Sequence, residues 1–421
     1  MQGTPLPEDK TSIRFCSESG FIPDVANFAG DVNIVFIYSL SGNLTEMLRI
    51  AVIGEGVVGV SSALAIRKKW RDVQVTALIS VNIVFIYSLS GNLTEMLRIA
   101  VIGEGVVGVS SALAIRKKWR DVQITVFHDR PFEKTCSAMP AGLFRFDNIN
   151  DRLDAKATFD WYAELCRQLP GSLTGVKLLS GHIQSDSKET LLAQERAYGD
   201  IVCNFRYLSD EERHILFQNP SKYAIHFSSF AAEGNRYVPF LKNQLLNDGV
   251  VFIQKTIQNV DELSEDFDII INSAGLNAGK LAGDDNGVYP IRGIVFEVEA
   301  PWHKHFNYRD FTTFSIPKNN CVVIGSVKQA NRFDTEITDE DRHDIWQRLT
   351  VCSYKNMNII GEWCHLRPAR QSIRVEKVEK MTKAGKRYTV IHNYGHGGHG
   401  FTVGWGTALR VAALCEKAIR K

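Results

Sequence analysis

No sign of charge dominates this sequence: 49 Lys and Arg stand against 47 Asp and Glu, for a formal net charge of +2. So even a balance builds no basic field, which argues against a nucleic-acid footprint. The CxxC pair is missing as well. The eight cysteines (Cys16, Cys136, Cys166, Cys203, Cys321, Cys352, Cys364 and Cys415) lie far apart, without Cys/His ligand spacing. They read as reduced thiols of an intracellular protein rather than a disulfide framework or a metal site. Long apolar runs are absent too. The longest near the start, residues 34–40, is too short to span a bilayer and follows a polar stretch instead of a basic one. Neither a membrane span nor a cleaved signal is expected.

With 44% hydrophobic residues among 421, the chain can bury the core of one large or two ordinary domains. Residues 1–31 are polar, broken by Pro and Gly, and read as a poorly ordered leader. Behind them stands a repeat: residues 32–76 and 81–125 agree everywhere except Val75 against Ile124. Structural repeats diverge on their surfaces and need several units to bury a continuous core. A pair this close, with no third copy, reads as a recent exon duplication or an error of gene prediction.

In the second copy the apolar run 97–102 leads into Gly103-Glu104-Gly105-Val106-Val107-Gly108. A helix of small and apolar residues follows, closes on a basic turn at 116–120, and gives way to an apolar strand at 124–127. In such a unit Gly103 makes the tight turn, Gly105 lets backbone approach a pyrophosphate, and Gly108 permits close packing of helix on strand. The phosphates meet unpaired N–H groups at the positive end of the helix dipole. Just past the second strand stands Asp129, whose carboxylate can accept from the ribose hydroxyls of a dinucleotide; Arg130 beside it faces phosphate or solvent. The first copy has the same loop at 54–59, yet its next strand runs back into the second copy and offers no acid. One place in a parallel sheet holds one strand, so the first copy is expected to be disordered or docked outside.

Downstream, residues 154–169 have helical spacing closed by Pro170-Gly171, and the stretch to about residue 230 is rich in turns and aromatics. A helix at 237–247 leads to a strand at 250–254, with further strands expected at 268–273, 291–298 and 321–325. The chain closes with a strand at 388–392, a glycine-rich loop at 395–400 and a helix from about Thr402. Glycine at 395, 397, 398 and 400, ahead of a helix, can bring backbone N–H groups close to a flat polar ring.

The run His392-Asn393-Tyr394-Gly395-His396-Gly397-Gly398-His399-Gly400, with Gly406-Thr407-Ala408 after it, is similar to the C-terminal signature of the D-amino acid oxidase and D-aspartate oxidase family of FAD enzymes. Other pieces resemble that family in order. Met96 and the strand behind it resemble its N-terminus, Asp129-Arg130 its ribose contact, and Pro140-Ala141-Gly142-Leu143 its flavin contact. Asn272-Ser273-Ala274-Gly275, Ile291-Arg292-Gly293 and Ala300-Pro301-Trp302 resemble its Asn-Cys-Thr/Ser-Gly, Val-Arg-Gly and Ala-Pro-Trp motifs, and Arg367-Pro368-Ala369-Arg370 its Arg-Pro-x-Arg. The likeness covers Met96 to the end, about three quarters of the chain.

The resemblance implies an α/β fold in which a Rossmann-like FAD-binding domain (residues 96–150, 235–290 and 362–421) carries an inserted mixed-sheet substrate domain (151–234 and 291–361). Residues 1–95 would be a leader holding the non-functional copy. The implied cofactor is FAD, with its pyrophosphate on Gly103, Gly105 and Gly108 and its ring near Ala141, Gly142, Leu143, Gly397, Gly398, Gly400, Phe401 and Thr402. Thr135 and Ile257 are implied as further cofactor contacts, and no metal is expected. The implied partners are a D-amino acid and O2, with neither nucleic acid nor membrane, and the oligomeric state is open. The family often ends in a Ser-Lys-Leu-like tripeptide, whereas this chain ends Ile419-Arg420-Lys421, so cytoplasm or peroxisome is expected without that import signal.

Enzymes of this kind pass a hydride from the substrate α-carbon to the flavin, so the protein's task is orientation and electrostatics. Arg367 is the choice for the substrate carboxylate, because a guanidinium fork grips it through two parallel hydrogen bonds. An ordinary arginine beside a proline is the competing reading. The resemblance also implies that the Gly398 carbonyl accepts from the substrate amine. Two departures stand out. Phe314 sits where D-amino acid oxidases carry a tyrosine, so a hydroxyl that could bind the carboxylate is missing. Lys328 sits where D-aspartate oxidases tend to place an arginine and neutral-substrate oxidases an apolar residue.

Lys328 and Arg309, with Arg145 as a further candidate, would read a second carboxylate, which makes D-aspartate or D-glutamate the expected substrate. If they are merely solvated charges, a neutral D-amino acid is the alternative. A nicotinamide dehydrogenase would use the same first glycine loop but leave the second unexplained, and an inactive flavin-binding protein is the rival from outside catalysis. Removal of residues 1–95 is expected to preserve or improve activity.

Overall fold

The computed structural model describes residues 96–310, 312–350 and 357–419, together with four strands between residues 34 and 87. The chain divides into two compact units, Met1–Glu95 and Met96–Lys421. In the first, β1 (Ile34–Leu40), β2 (Met47–Ile53), β3 (Gln74–Thr76) and β4 (Ile83–Tyr87) form an antiparallel sheet in the order β1-β2-β4-β3. The leader at 1–31 and the loop at 54–59 lie outside the described residues.

The second unit opens with β5 (Leu97–Ile102), whose last four residues are buried, followed by α1 (Val106–Lys118) and β6 (Val122–His128). Near-continuous burial is what a parallel strand covered on both faces requires. Gly108, Ser110, Ser111, Ala112 and Ala114 keep the buried face of α1 small, and Arg116, Lys117 and Lys118 place positive charge at its C-terminal end. Next come α2 (Arg152–Gln168), β7 (Val176–Ser185), α3 (Lys188–Tyr198), β8 (Cys203–Tyr207), α4 (Asp210–Leu216) and β9 (Tyr223–Ala232). The turn-rich reading of this stretch missed that β7 and β9 pair antiparallel along their whole length. Then follow α5 (Gly234–Asn247), β10 (Val251–Gln254), β11 (Ile269–Asn272) and β12 (Tyr289–Glu299). After them stand β13 (Phe306–Arg309), β14 (Thr313–Pro317), β15 (Val322–Gly325), β16 (Gln329–Ala330) and α6 (Asp339–Thr350). The chain ends in β17 (Asn358–Met381), β18 (Arg387–His396) and α7 (Gly400–Ile419).

Strands β10-β6-β5-β11-β18 are all parallel and lie in the doubly wound order 3-2-1-4-5 of their appearance, with α7 packed against α1 and α2. The sheet then continues through antiparallel β17, β12, β15, β14 and β13 into β7, β9 and β8, which gives the inserted mixed sheet. One strand makes that continuity. Residues 358–369 of β17 pair with β12, and residues 374–381 pair with β18, with a break of register at 369–374. β17 therefore runs through position 361/362, where the sequence reading placed a domain boundary.

The C-terminal glycine run is also less of a loop than expected. β18 reaches His396, a single 3-10 turn spans Gly397–His399, and α7 starts at Gly400. Among the described residues no helix is long and apolar enough to cross a membrane and no His, Cys, Asp and Glu group could hold a metal ion. Cys136, Cys166, Cys203, Cys321, Cys364 and Cys415 are free thiols.

Candidate active site

The glycines at 103 and 108 are fixed by close approach of backbone. Gly103 has φ 116°, and a Cβ on it would stand 2.3 Å from the Ser273 carbonyl oxygen at the end of β11. A Cβ on Gly108 would stand 2.0 Å from the Gly103 oxygen. Gly105 caps α1 without a side-chain acceptor for the first-turn N–H groups, of which Val106 N donates to Ser137 Oγ at 3.1 Å. The helix thus presents a positive end at the place where strand order reverses, between β5 and β11. Glu104 inside the loop is buried and ion-paired with Lys242 of α5 at 2.6 Å.

Asp129 follows the last residue of β6 and is exposed. Arg130 grips it with Nε at 3.0 Å and Nη2 at 2.6 Å, and that hydrogen bonding holds the Asp129 carboxyl below its usual range. Arg130 is therefore turned to its neighbour. Thr135 donates its hydroxyl to Phe132 O at 2.7 Å, and Ile257 is packed in the apolar cluster with Ala100, Ile102 and Phe127. Neither lines the main cavity.

That cavity holds about 430 Å³, ordinary for a small-molecule site. One side is made by Val106, Ser137, the segment 140–143 and the turn 397–402. Gly142 has φ 59°, and a Cβ there would meet Ala232 O at 2.1 Å, so residues 140–143 lie flat on the end of β9. Thr402 Oγ1 donates to Arg145 O at 3.1 Å and Tyr162 donates to Phe401 O at 2.6 Å, which pins the start of α7. Two buried acceptors on this side, Ser273 Oγ and Asn393 Oδ1, have no hydrogen-bond partner among the described residues. Orphaned polar atoms, a helix end whose N-cap glycine supplies no side-chain acceptor and glycines that admit no side chain are what an extended phosphate-bearing cofactor with a polar ring would satisfy. The residues fit FAD.

The other side is made by β12, β13, β14, β15 and the first half of β17. Arg367 projects from β17 across Gly293 of β12, where a Cβ would sit 2.2 Å from the guanidinium carbon. The Ile-Arg-Gly motif thereby receives two physical reasons. Gly293 makes room for Arg367, whereas Arg292 turns the other way, fully buried, to ion-pair with Asp341 at 2.7 Å. Arg367 has only a 3.4 Å bond from Nη2 to Ser326 Oγ and no carboxylate within ion-pair distance among the described residues. Burial pulls its pKa down, though guanidinium stays charged. It is a buried cation that lines the cavity with no carboxylate of the described residues to balance it. Gly398 lies beside it, its ideal Cβ 3.6 Å from Arg367 Cδ.

The remaining candidates separate. Phe314 lines the cavity, and Lys328 lines it while exposed to solvent. Arg309 does not line it; it follows Tyr308 on β13, points to the opposite face, and donates to Asn219 O at 3.0 Å. Arg145 does line it but is ion-paired with Asp147, which also lies 3.5 Å from His399 and accepts from Gln194 at 3.3 Å. Burial alone would raise the Asp147 carboxyl, yet the His399 hydrogen bond and the Arg145 charge outweigh it and hold it far below the usual carboxylate range.

Among the lining residues that sequence reading missed are Tyr308, Trp363 and His365. Trp363 Nε1 and His365 Nε2 are buried without partners among the described residues. For Tyr308 a signal existed, since Phe306 and Tyr308 alternate with Asn307 and Arg309 on a short strand.

A sequence profile of the family DAO, FAD dependent oxidoreductase, matches residues 98–414. The chain is 58% identical over 375 residues to D-aspartate oxidase 1 of Caenorhabditis elegans, covering 88% of this chain and 98% of that one. D-aspartate oxidase 2 of the same organism is 54% identical over 376 residues, with the same coverage. Among solved structures, glycine oxidase from Geobacillus kaustophilus superposes with a TM-score of 0.62 at 17% identity, covering 76% of this chain and 95% of that one.

Proposed function

From the premise that the chain belongs to the DAO family of FAD-dependent oxidoreductases, we propose that it is an oxidase of acidic D-amino acids, D-aspartate and D-glutamate. The products are the 2-oxo acid, ammonia and hydrogen peroxide. Bound FAD supplies the acceptor for the hydrogen and electron pair that leave the substrate α-carbon. The chain's residues orient and desolvate. Arg367 takes the α-carboxylate through its two parallel N–H donors, and its unbalanced charge in the cavity is the observation that carries the reading. The Gly398 carbonyl, on the turn beside Arg367, accepts from the substrate amine and so sets which face of the α-carbon meets the cofactor side. Lys328 at the rim attracts the second carboxylate, and the stacked rings of Phe314 and Tyr308 exclude water from the cavity they line. Arg309 takes no part in this arrangement, because its side of β13 faces away.

The test is peroxide formation from D-Asp, D-Glu, D-Ala and L-Asp with added FAD. Acidic D-substrates are expected to lead by at least about tenfold in kcat/KM, the value of one well-placed ion pair. Equal rates with D-Ala would replace this reading with a neutral D-amino acid oxidase. Colourless protein reducing a nicotinamide would replace it with a dehydrogenase.

A further inference from the structure

A carboxylate offers about four acceptor positions, and the Arg367 fork fills two of them. The cavity contains a further donor that the reading above leaves without a chemical task. Tyr308 lies on β13 directly opposite Phe314 on β14, and the two rings stack with centroids 5.1 Å apart and planes 27° apart. Both line the cavity, and Tyr308 is only 8% exposed. The stack fixes the plane of the tyrosine ring and therefore the line along which its hydroxyl projects. The Arg145 guanidinium stands 5.7 Å from the ring centroid, and among the described residues the hydroxyl makes no hydrogen bond. Burial raises the phenol pKa, the charges of Arg145 and Arg367 act to lower it, and that of Asp147, the ion-pair partner of Arg145, acts to raise it.

A hydroxyl on a ring that lines the same cavity as Arg367, whose charge has no carboxylate partner among the described residues, is a good donor to an anion held there. We propose that Tyr308 donates to the substrate α-carboxylate together with Arg367, so that the hydroxyl missing from Phe314 is supplied by its partner across the strand pair. Phe314 is then the platform and Tyr308 the donor. This rests on Arg367 holding the α-carboxylate, as proposed above.

The experiment uses the full chain loaded with FAD and the simple monocarboxylate propionate, whose binding is followed through the flavin absorbance. Steady-state kinetics with D-Asp run beside it. Tyr308→Phe keeps the stack and removes only the oxygen. It is expected to weaken propionate about tenfold and to raise KM for D-Asp by a similar factor, with kcat within about threefold. The double variant Tyr308→Phe with Phe314→Tyr returns a hydroxyl from the opposite strand and is expected to recover most of the loss. Propionate affinity within about twofold of the parent in Tyr308→Phe would overturn the proposal. A loss that appears with D-Asp but not with propionate would overturn it too, since the hydroxyl would then face the distal carboxylate. Propionate binding needs no turnover, so a protein inert towards D-Asp would refute the oxidase reading and still answer the question about Tyr308. Arg367→Leu, expected to abolish propionate binding, tests separately the clamp on which the proposal rests.

Discussion

The residues Leu-Arg-Ile-Ala-Val-Ile occur in β2 and again in β5, and the two strands are used in opposite senses. β5 pairs parallel with β6 and β11, and a glycine turn and helix follow it. β2 pairs antiparallel with β1 and β4, which are themselves copies of one segment. They flank it in one register, Ile34 and Ile83 both opposite Ile53, and Tyr38 and Tyr87 both opposite Arg49. The strands Gln74–Thr76 and Val122–His128 repeat the contrast, the first antiparallel to β4 and the second parallel to β5. Local sequence thus specifies that these residues are strands, and the chain that comes afterwards decides which strands they join. A parallel place beside β5 exists because β11 and β18 come later and complete it.

The sharpest way to break the comparison is to make the same change in both copies. Gly103→Ala puts a methyl against the Ser273 carbonyl at a positive φ, and is expected to abolish FAD retention or cost at least about 2 kcal/mol of stability. Gly54→Ala is expected to leave flavin content and kcat/KM unchanged. Equal effects would mean that both copies serve the site. Next in size, Arg367→Leu should lower kcat/KM for D-Asp by at least about 100-fold, whereas Arg309→Leu should stay within about twofold.

Acid should separate the two units as well. The chain's 11 histidines all lie after residue 127. Burial pushes His182, His303 and His392 down to about 4 from an ordinary 6.5, and nearby basic groups, Arg206 at His182, His305 at His303 and Arg374 at His392, add to it. These rings are neutral when folded, and the unfolded chain binds more protons below pH 6.5. Their contribution is therefore complete above 6.5 and is lost as pH falls towards 4. Denaturant midpoints measured across that window should drop alike for the full chain and for residues 96–421. The smallest expected effect is deletion of residues 1–95 itself, with kcat/KM for D-Asp kept within about twofold; a larger loss would assign the first copy a role.

The cofactor side was readable in the sequence because its requirements are backbone requirements. Gly103, Gly108 and Gly142 each stand where a Cβ would strike a carbonyl oxygen, and that leaves a trace at one position. Arg367 was readable through its motif, although the absence of a carboxylate partner among the described residues was not. The substrate side was harder, because its membership depends on which face of a strand turns inward. Arg309 and Tyr308 are neighbours in sequence and opposites in space, and only the pairing of β13 with β14 and β7 decides between them. β17 was unreadable as one element, since its halves meet different partners and Pro368 lies within it. Lys328 entered through the resemblance, and its place at the cavity rim comes from the short segment between β15 and β16.

The 24-residue β17 has a mechanical meaning. Arg367, the proposed carboxylate clamp, and residues 371–373, which also line the cavity, belong to one strand that is tied to β12 before the break of register at 369–374 and to β18 after it. The spacing between clamp and cofactor side is then a count of residues along a ruler, indifferent to any sliding of one layer over another. Opening the cleft by swinging the two halves apart would mean tearing a sheet, so traffic through it has to be governed by what moves most cheaply at its rim.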